Sequence, residues 1–414
     1  MKKFNLLHGT ALFAIAMTFV GCSNDKDLYD PDAAPQKPTA AEQKHASNAA
    51  EFAKQFGTIS PDQIWGFTDQ TPASTEKTRG TDPKANDWAN YVNVPEALDQ
   101  ATRDEVMAWF AANPNPESTT VNYCDFFVRY VGGTHGQMDH LICGADEEAV
   151  LSGDYAKADH IFNFNQTGGS IMFMVDSHTG AFGYHSSQDS KDHTRFVIIP
   201  GATINEAYAD LYFVAFDYEA TGNEPNQQEA YDGYYTDWVV CITPGEYKDA
   251  QRIICEDLGT IGDYDFNDVV FDVRINYNEW WHDGDYAVVT VLAAGGTLPL
   301  TIEGVEVHEL LGVAPGTMVN TNGKSVKLPV AQFRIPKDKI RSANAKDIEV
   351  CANGIRLTAE QGQATEMLCV PTTYKWTQET VNILQAYPMF KEYVNNNAPL
   401  NWYELDINTD WLKK

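Results

Sequence analysis

Residues 255–273 read CEDLGTIGDYDFNDVVFDV. Between Glu256 and Asp272 this stretch carries six carboxylates and no lysine or arginine. Its close, Val269-Val270-Phe271-Asp272, is β-branched and aromatic, which predicts a strand belonging to a sandwich. Asp263, Asp265 and Asn267 alternate, so in an extended segment all three project from one face, with Asp268 on the other. Two carboxylates about 6 Å apart repel by roughly 3 kcal/mol at an effective dielectric near 20. A solvated loop tolerates that repulsion. It is poorly tolerated beside Phe266, Val269, Val270 and Phe271, which demand burial.

A hard divalent cation with oxygen ligands removes the conflict, and Ca²⁺ takes six to eight such ligands. The candidate ligands are Glu256, Asp257, Asp263, Asp265, Asn267 and Asp268, around a structural Ca²⁺. The spacing is not that of an EF-hand, because its sixth position is Asp268 where glycine is required and its twelfth is Arg274 where glutamate is. Two other readings remain: an Asx-rich turn whose carboxylates cap backbone amides, and acid–base catalysis. Paired glycosidase carboxylates flank a sugar, whereas neighbours on one face compete for one site, so the catalytic reading is the weaker.

Working outward, short β-branched and aromatic runs broken by Gly, Pro, Asn and Asp recur from residue 121: YCDFFVRYV, TRFVIIPG, DLYFVAFDYEA, DWVVCITPG, RIICED and YAVVTVLAA. That spacing predicts a mainly β fold, an antiparallel, jelly-roll-like β-sandwich over 119–414, as one sandwich or two packed together with a break near 250. Asn322-Gly323 predicts a hairpin turn. Upstream, residues 46–118 predict a small helical leader. One helix stops at Gly57, a second opens at Ser60-Pro61, and a third has Thr102 and Glu105 as a capping box. A short helix over 378–386 should end before Pro388.

The first 21 residues combine Lys2 and Lys3 with a ten-residue apolar run, too short to span a bilayer but suited to a signal peptide. Cleavage before Cys22 resembles processing at a lipobox, which marks Cys22 for lipidation, with residues 22–45 as a polar, proline-containing tether. The acids at Asp25, Asp27 and Asp30 resemble the export signal of many Bacteroidota surface lipoproteins. The expected location is the outer membrane, facing the cell surface, held by the lipid alone. The formal net charge of −29 argues against nucleic acid, whose phosphates it would repel. Six further cysteines permit disulfides in an exported chain. Cys241 and Cys255 flank a predicted Pro-Gly hairpin symmetrically, which makes them the candidate bridge.

Other constellations carry less. Six histidines between His135 and His193 show no helical i, i+4 pair. His308-Glu309 lacks the second histidine of a zincin. Trp280 and Trp281 sit in a predicted loop, where they serve either as core or as stacking contacts for a ligand. The CEDLGTIGDYDFNDVVFDV stretch resembles the Glu-Asp…Asp-x-Asp-Phe-Asn-Asp signature of the LruC-domain family of bacterial exported lipoproteins. The segments LPLTIEGVEVHELLG, YKWTQETVNILQAYPMF and FAKQFGTISPDQIWGF are similar to other parts of that family. The resemblance implies an all-β, calcium-associated surface lipoprotein and no activity. The functional expectation is therefore a non-catalytic binding or adhesion module for a glycan or a protein. The alternatives are a polysaccharide-acting enzyme and a structural subunit of a surface assembly.

Overall fold

The computed structural model describes residues 37–68, 91–133, 138–143, 149–152, 161–165, 172–177, 182–186, 194–218, 232–257, 262–276, 286–322, 325–342 and 344–413. Cys22, Trp280, Trp281, Gly323 and the polar segment after residue 70 lie outside them. His140 and His185 fall on strands, but the placement of their side chains is likewise outside the description.

The fold is mainly antiparallel β, as the alternating runs predict. An upstream five-stranded sheet has the order Ile161–Asn165, Asp125–Gly132, Trp238–Pro244, Tyr212–Tyr218, Thr194–Pro200. A downstream one has the order Ala331–Ile335, Tyr286–Ala293, Val269–Asn276, Gln251–Cys255, Met367–Pro371. In the downstream sheet four strands run as a meander and Met367–Pro371 returns to pair with the first, a connection of the Greek-key kind. The chain leaves the upstream sheet at Pro244 and enters the downstream one at Gln251. Gln332 ties the two: its backbone N–H donates to Asn122 O, and its side-chain oxygen accepts from Cys124 N.

Alternation explains both faces of the upstream sheet. Val197, Ile199, Phe213, Ala215, Val239 and Cys241 pack on Val106 and Phe110 of helix α2 (Gln100–Ala112), while Ile198, Val214, Phe216, Val240 and Ile242 face the other way. The downstream sheet buries Phe271, Val273, Val289 and Val291 in a larger core. The second layer of that core contains Leu300, Ile302, Val350 and Ala352 of a small four-stranded sheet. Helix α1 (Ala40–Phe56) closes it with Phe52 and Phe56, and the C-terminal segment adds Tyr387, Phe390 and Trp402.

Several local expectations change. Cys241 and Cys255 are both free thiols, because the strands that carry them belong to different sheets instead of one hairpin. The segment at Ser60-Pro61 is a turn and not a helix. Helix α2 starts earlier than its Thr102–Glu105 box: Asp99 accepts from Thr102 N, and Glu105 instead accepts from Asn205 and Tyr208. The C-terminal helix shrinks to Ile383–Ala386, since Asn382 caps Leu384 N and leaves 378–381 in turns. The helix stop at Gly57 stands, with φ at 91°.

Candidate metal centre

The acidic segment is not extended. Tyr264 and Phe266 both adopt left-handed backbone, at φ 52° and 54°, next to Gly262 at 55°. For residues with a Cβ that conformation costs on the order of 1 kcal/mol each, so packing must hold it. The packing is present. Tyr264 stacks edge-on against Phe52 and Phe56 of α1, and Phe266 against Phe390. Its hydroxyl also donates to Asn48 of the same helix. The two aromatic rings point into the core, and Asp265 between them brings its carboxylate to the other acids.

Two groups of carboxylates result. Oxygens of Glu256, Asp265 and Asp268 lie within 4.8 Å of one another, as do oxygens of Asp263, Asp265 and Glu379. Asp268, expected on the opposite face, joins the cluster because the kinks rotate it back; its carboxylate accepts from Asp257 N at 2.6 Å. Asp257 itself sits beside Gly296, where an added Cβ would come within 2.7 Å of its carboxylate. Asn267 donates its side-chain amide to Thr377 O. Glu379 was not among the residues singled out from sequence. It lies far downstream, and nothing in its local spacing marks it as a partner of the 256–268 stretch.

Glu256 and Asp265 are 1% and 2% exposed. Burial pushes the carboxyls of Glu256, Asp265 and Asp268 well above the usual carboxylate range, and neighbouring carboxylates push the same way. Burial raises Asp263 and Glu379 as well. Among the described residues, no lysine or arginine bonds the carboxylates of Glu256, Asp263, Asp265, Asp268 or Glu379. Lys44 of α1 comes near, but its ammonium donates to the backbone oxygen of Asp257.

Part of the capped-turn reading is realised: Asp265 accepts from Asn267 N at 3.2 Å and from Thr380 N at 2.7 Å. Asp268 likewise accepts from Asp257 N, and Glu256 from Phe266 N at 3.3 Å, but these neutral amides leave the net charge of the group unanswered. These buried acidic groups suit a metal ion, and every donor is oxygen, which suits a hard one.

No family model and no curated protein matches this chain. One solved structure, titled a "Putative lipoprotein from Bacteroides ovatus", is similar at 13% identity and a TM-score of 0.30, over 54% of this chain and 93% of that one. So slight a likeness carries neither fold nor function. Among the described residues, no helix is long and apolar enough to cross a membrane.

Proposed function

We propose that the chain is a lipid-anchored β-sandwich protein of the outer membrane surface, held together by structural calcium and acting as a non-catalytic binding module for a glycan or a protein. The observation that carries the calcium reading is the set of carboxylates at 256–268 and Glu379, with Glu256 and Asp265 buried and Asp263, Asp268 and Glu379 half-buried, gathered without a lysine or arginine bonding any of these five among the described residues. A calcium ion accommodates opposed ligands up to about 5 Å apart, which matches the reach of each group. The burial of these groups favours a structural over a catalytic ion, since a polymer substrate needs open access to the acids. Two surface cavities among the described residues, of about 530 and 110 Å³, are lined by other residues.

The resemblance of four separate segments to the LruC-domain family supports the same reading, as do the Cys22 signal and the acidic residues after it for anchoring and surface display. Trp280 and Trp281 are the proposed ligand contacts. Calorimetry and thermal unfolding of the mature chain with millimolar Ca²⁺ or with chelator test the centre. Heat release and a raised melting temperature are expected; no heat and no shift would remove calcium from the account. Glycan-array binding that is lost in Trp281→Ala tests the module.

A further inference from the structure

We infer that the acidic core holds two calcium ions bridged by Asp265, with Asp263, Asn267 and Glu379 holding the second. This rests on the calcium reading above and extends it. The two carboxylate groups share Asp265 and no other member. Glu256 and Asp268 therefore belong to one position, and Asp263 and Glu379 to another. Each oxygen of Asp265 accepts a single backbone N–H, from Asn267 on one side and Thr380 on the other. A carboxylate oxygen has two lone pairs, so each keeps one free for an ion.

A second observation points to a ligand at the Glu379 side. Asn267 is 0% exposed, and its side-chain oxygen has no hydrogen-bond partner, while its amide nitrogen is committed to Thr377 O. Oε2 of Glu379 is likewise buried without a partner. A buried amide oxygen left unpaired is costly, and native structures rarely keep one without a purpose. Both oxygens converge on Gly295: a Cβ there would stand 2.2 Å from Asn267 Oδ1 and 2.9 Å from Glu379 Oε2. Only a glycine leaves that approach open.

Charge balance agrees. Glu256, Asp263, Asp265, Asp268 and Glu379 together outweigh one dication, and a neutral amide oxygen beside them is a donor that calcium accepts readily.

Native mass spectrometry of the mature chain, stripped and then titrated with Ca²⁺, counts the ions directly. Two bound ions are expected in the parent, one in Glu379→Gln, and none in Asp265→Asn. Circular dichroism confirms that each variant is folded, and the count in the parent decides the matter even if a variant is not. A parent that saturates at one ion overturns the second position while leaving a single calcium centre intact. A parent that binds none overturns both. Two ions retained in Glu379→Gln would remove that residue from the site.

Discussion

The antiparallel strands Gln251–Cys255 and Val269–Asn276 bury acid at both ends, and they answer it differently. At one end Arg252 faces Asp272 across the ladder and holds it through two hydrogen bonds of 2.7 and 2.8 Å. Burial still lifts the Asp272 carboxyl, with Arg252 pulling the other way. At the other end, Asp268 meets Glu256 and Asp265, and no basic side chain bonds these three among the described residues. The same hairpin thus supplies a cation from its own sequence at one end and leaves it to solution at the other. A buried charge is tolerable only when paired, so the second end depends on calcium concentration in a way the first does not.

The largest expected effect comes from breaking the self-supplied pair. Arg252→Leu leaves the largely buried Asp272 without its partner and removes a donor to Tyr374 O, and it should cost about 3–5 kcal/mol in denaturant unfolding. The loss should be equal with calcium and with chelator. A loss seen only in chelator would mean that the two ends are not separate devices.

Next in size is Asp265→Asn. At a calcium concentration about 10-fold above Kd the parent gains roughly 1.4 kcal/mol per site, about 2.8 kcal/mol for the two, and the variant should lose that gain entirely. In chelator the order should reverse, with the variant at least as stable as the parent, because one of the repelling charges is gone. Paired melts with and without calcium check both signs.

What the sequence made legible follows from the same physics. The strand at 269–276 and the burial of Phe266, Val269, Val270 and Phe271 were readable because period and composition are local. The acidic stretch was readable because six carboxylates without a base are conspicuous in one line of text. Its conformation was not. Alternation suggested an extended segment, and left-handed turns at Tyr264 and Phe266 became affordable only through Phe52, Phe56 and Phe390, which are remote in sequence. Glu379 was hidden for the same reason, since only the fold brings it beside Asp263. The segments 52–67, 255–273, 298–312 and 374–390 meet in the structure. Phe52, Trp65, Leu300, Val307, Phe390, Tyr264, Phe266 and Phe271 share one core. The Cys241–Cys255 bridge failed because a Pro-Gly turn between two strands does not say whether they pair with each other.

A smaller effect concerns pH. Burial raises Glu256, Asp265 and Asp268 above their unfolded values, so the native chain holds protons that the unfolded chain has released. That contribution to stability is complete below the unfolded carboxylate range and is lost as pH rises through the raised native values. Calcium-stripped protein should therefore unfold at lower denaturant near pH 8 than near pH 5, and saturating calcium should flatten the difference. Asp265→Asn should reduce it too, without calcium, leaving the part due to Glu256 and Asp268. A parent whose stripped form grows more stable with rising pH would show that these acids are already paired in solution.

The smallest expected effect sharpens the comparison most finely, because it concerns an ammonium near the acidic end. Lys44 belongs to α1, which is also docked through His45 on Glu366 and through Asn48 on Tyr264. Its charge lands on a backbone carbonyl and not on a carboxylate. Lys44→Met should therefore cost about 1 kcal/mol, the scale of one hydrogen bond, and leave the calcium-dependent rise in melting temperature in place. Removing a positive charge beside the site should, if anything, tighten calcium. If the rise instead disappears, the lysine organises the acids after all. Both ends of the hairpin would then rest on cations of the chain's own, with α1 supplying at one end what Arg252 supplies at the other.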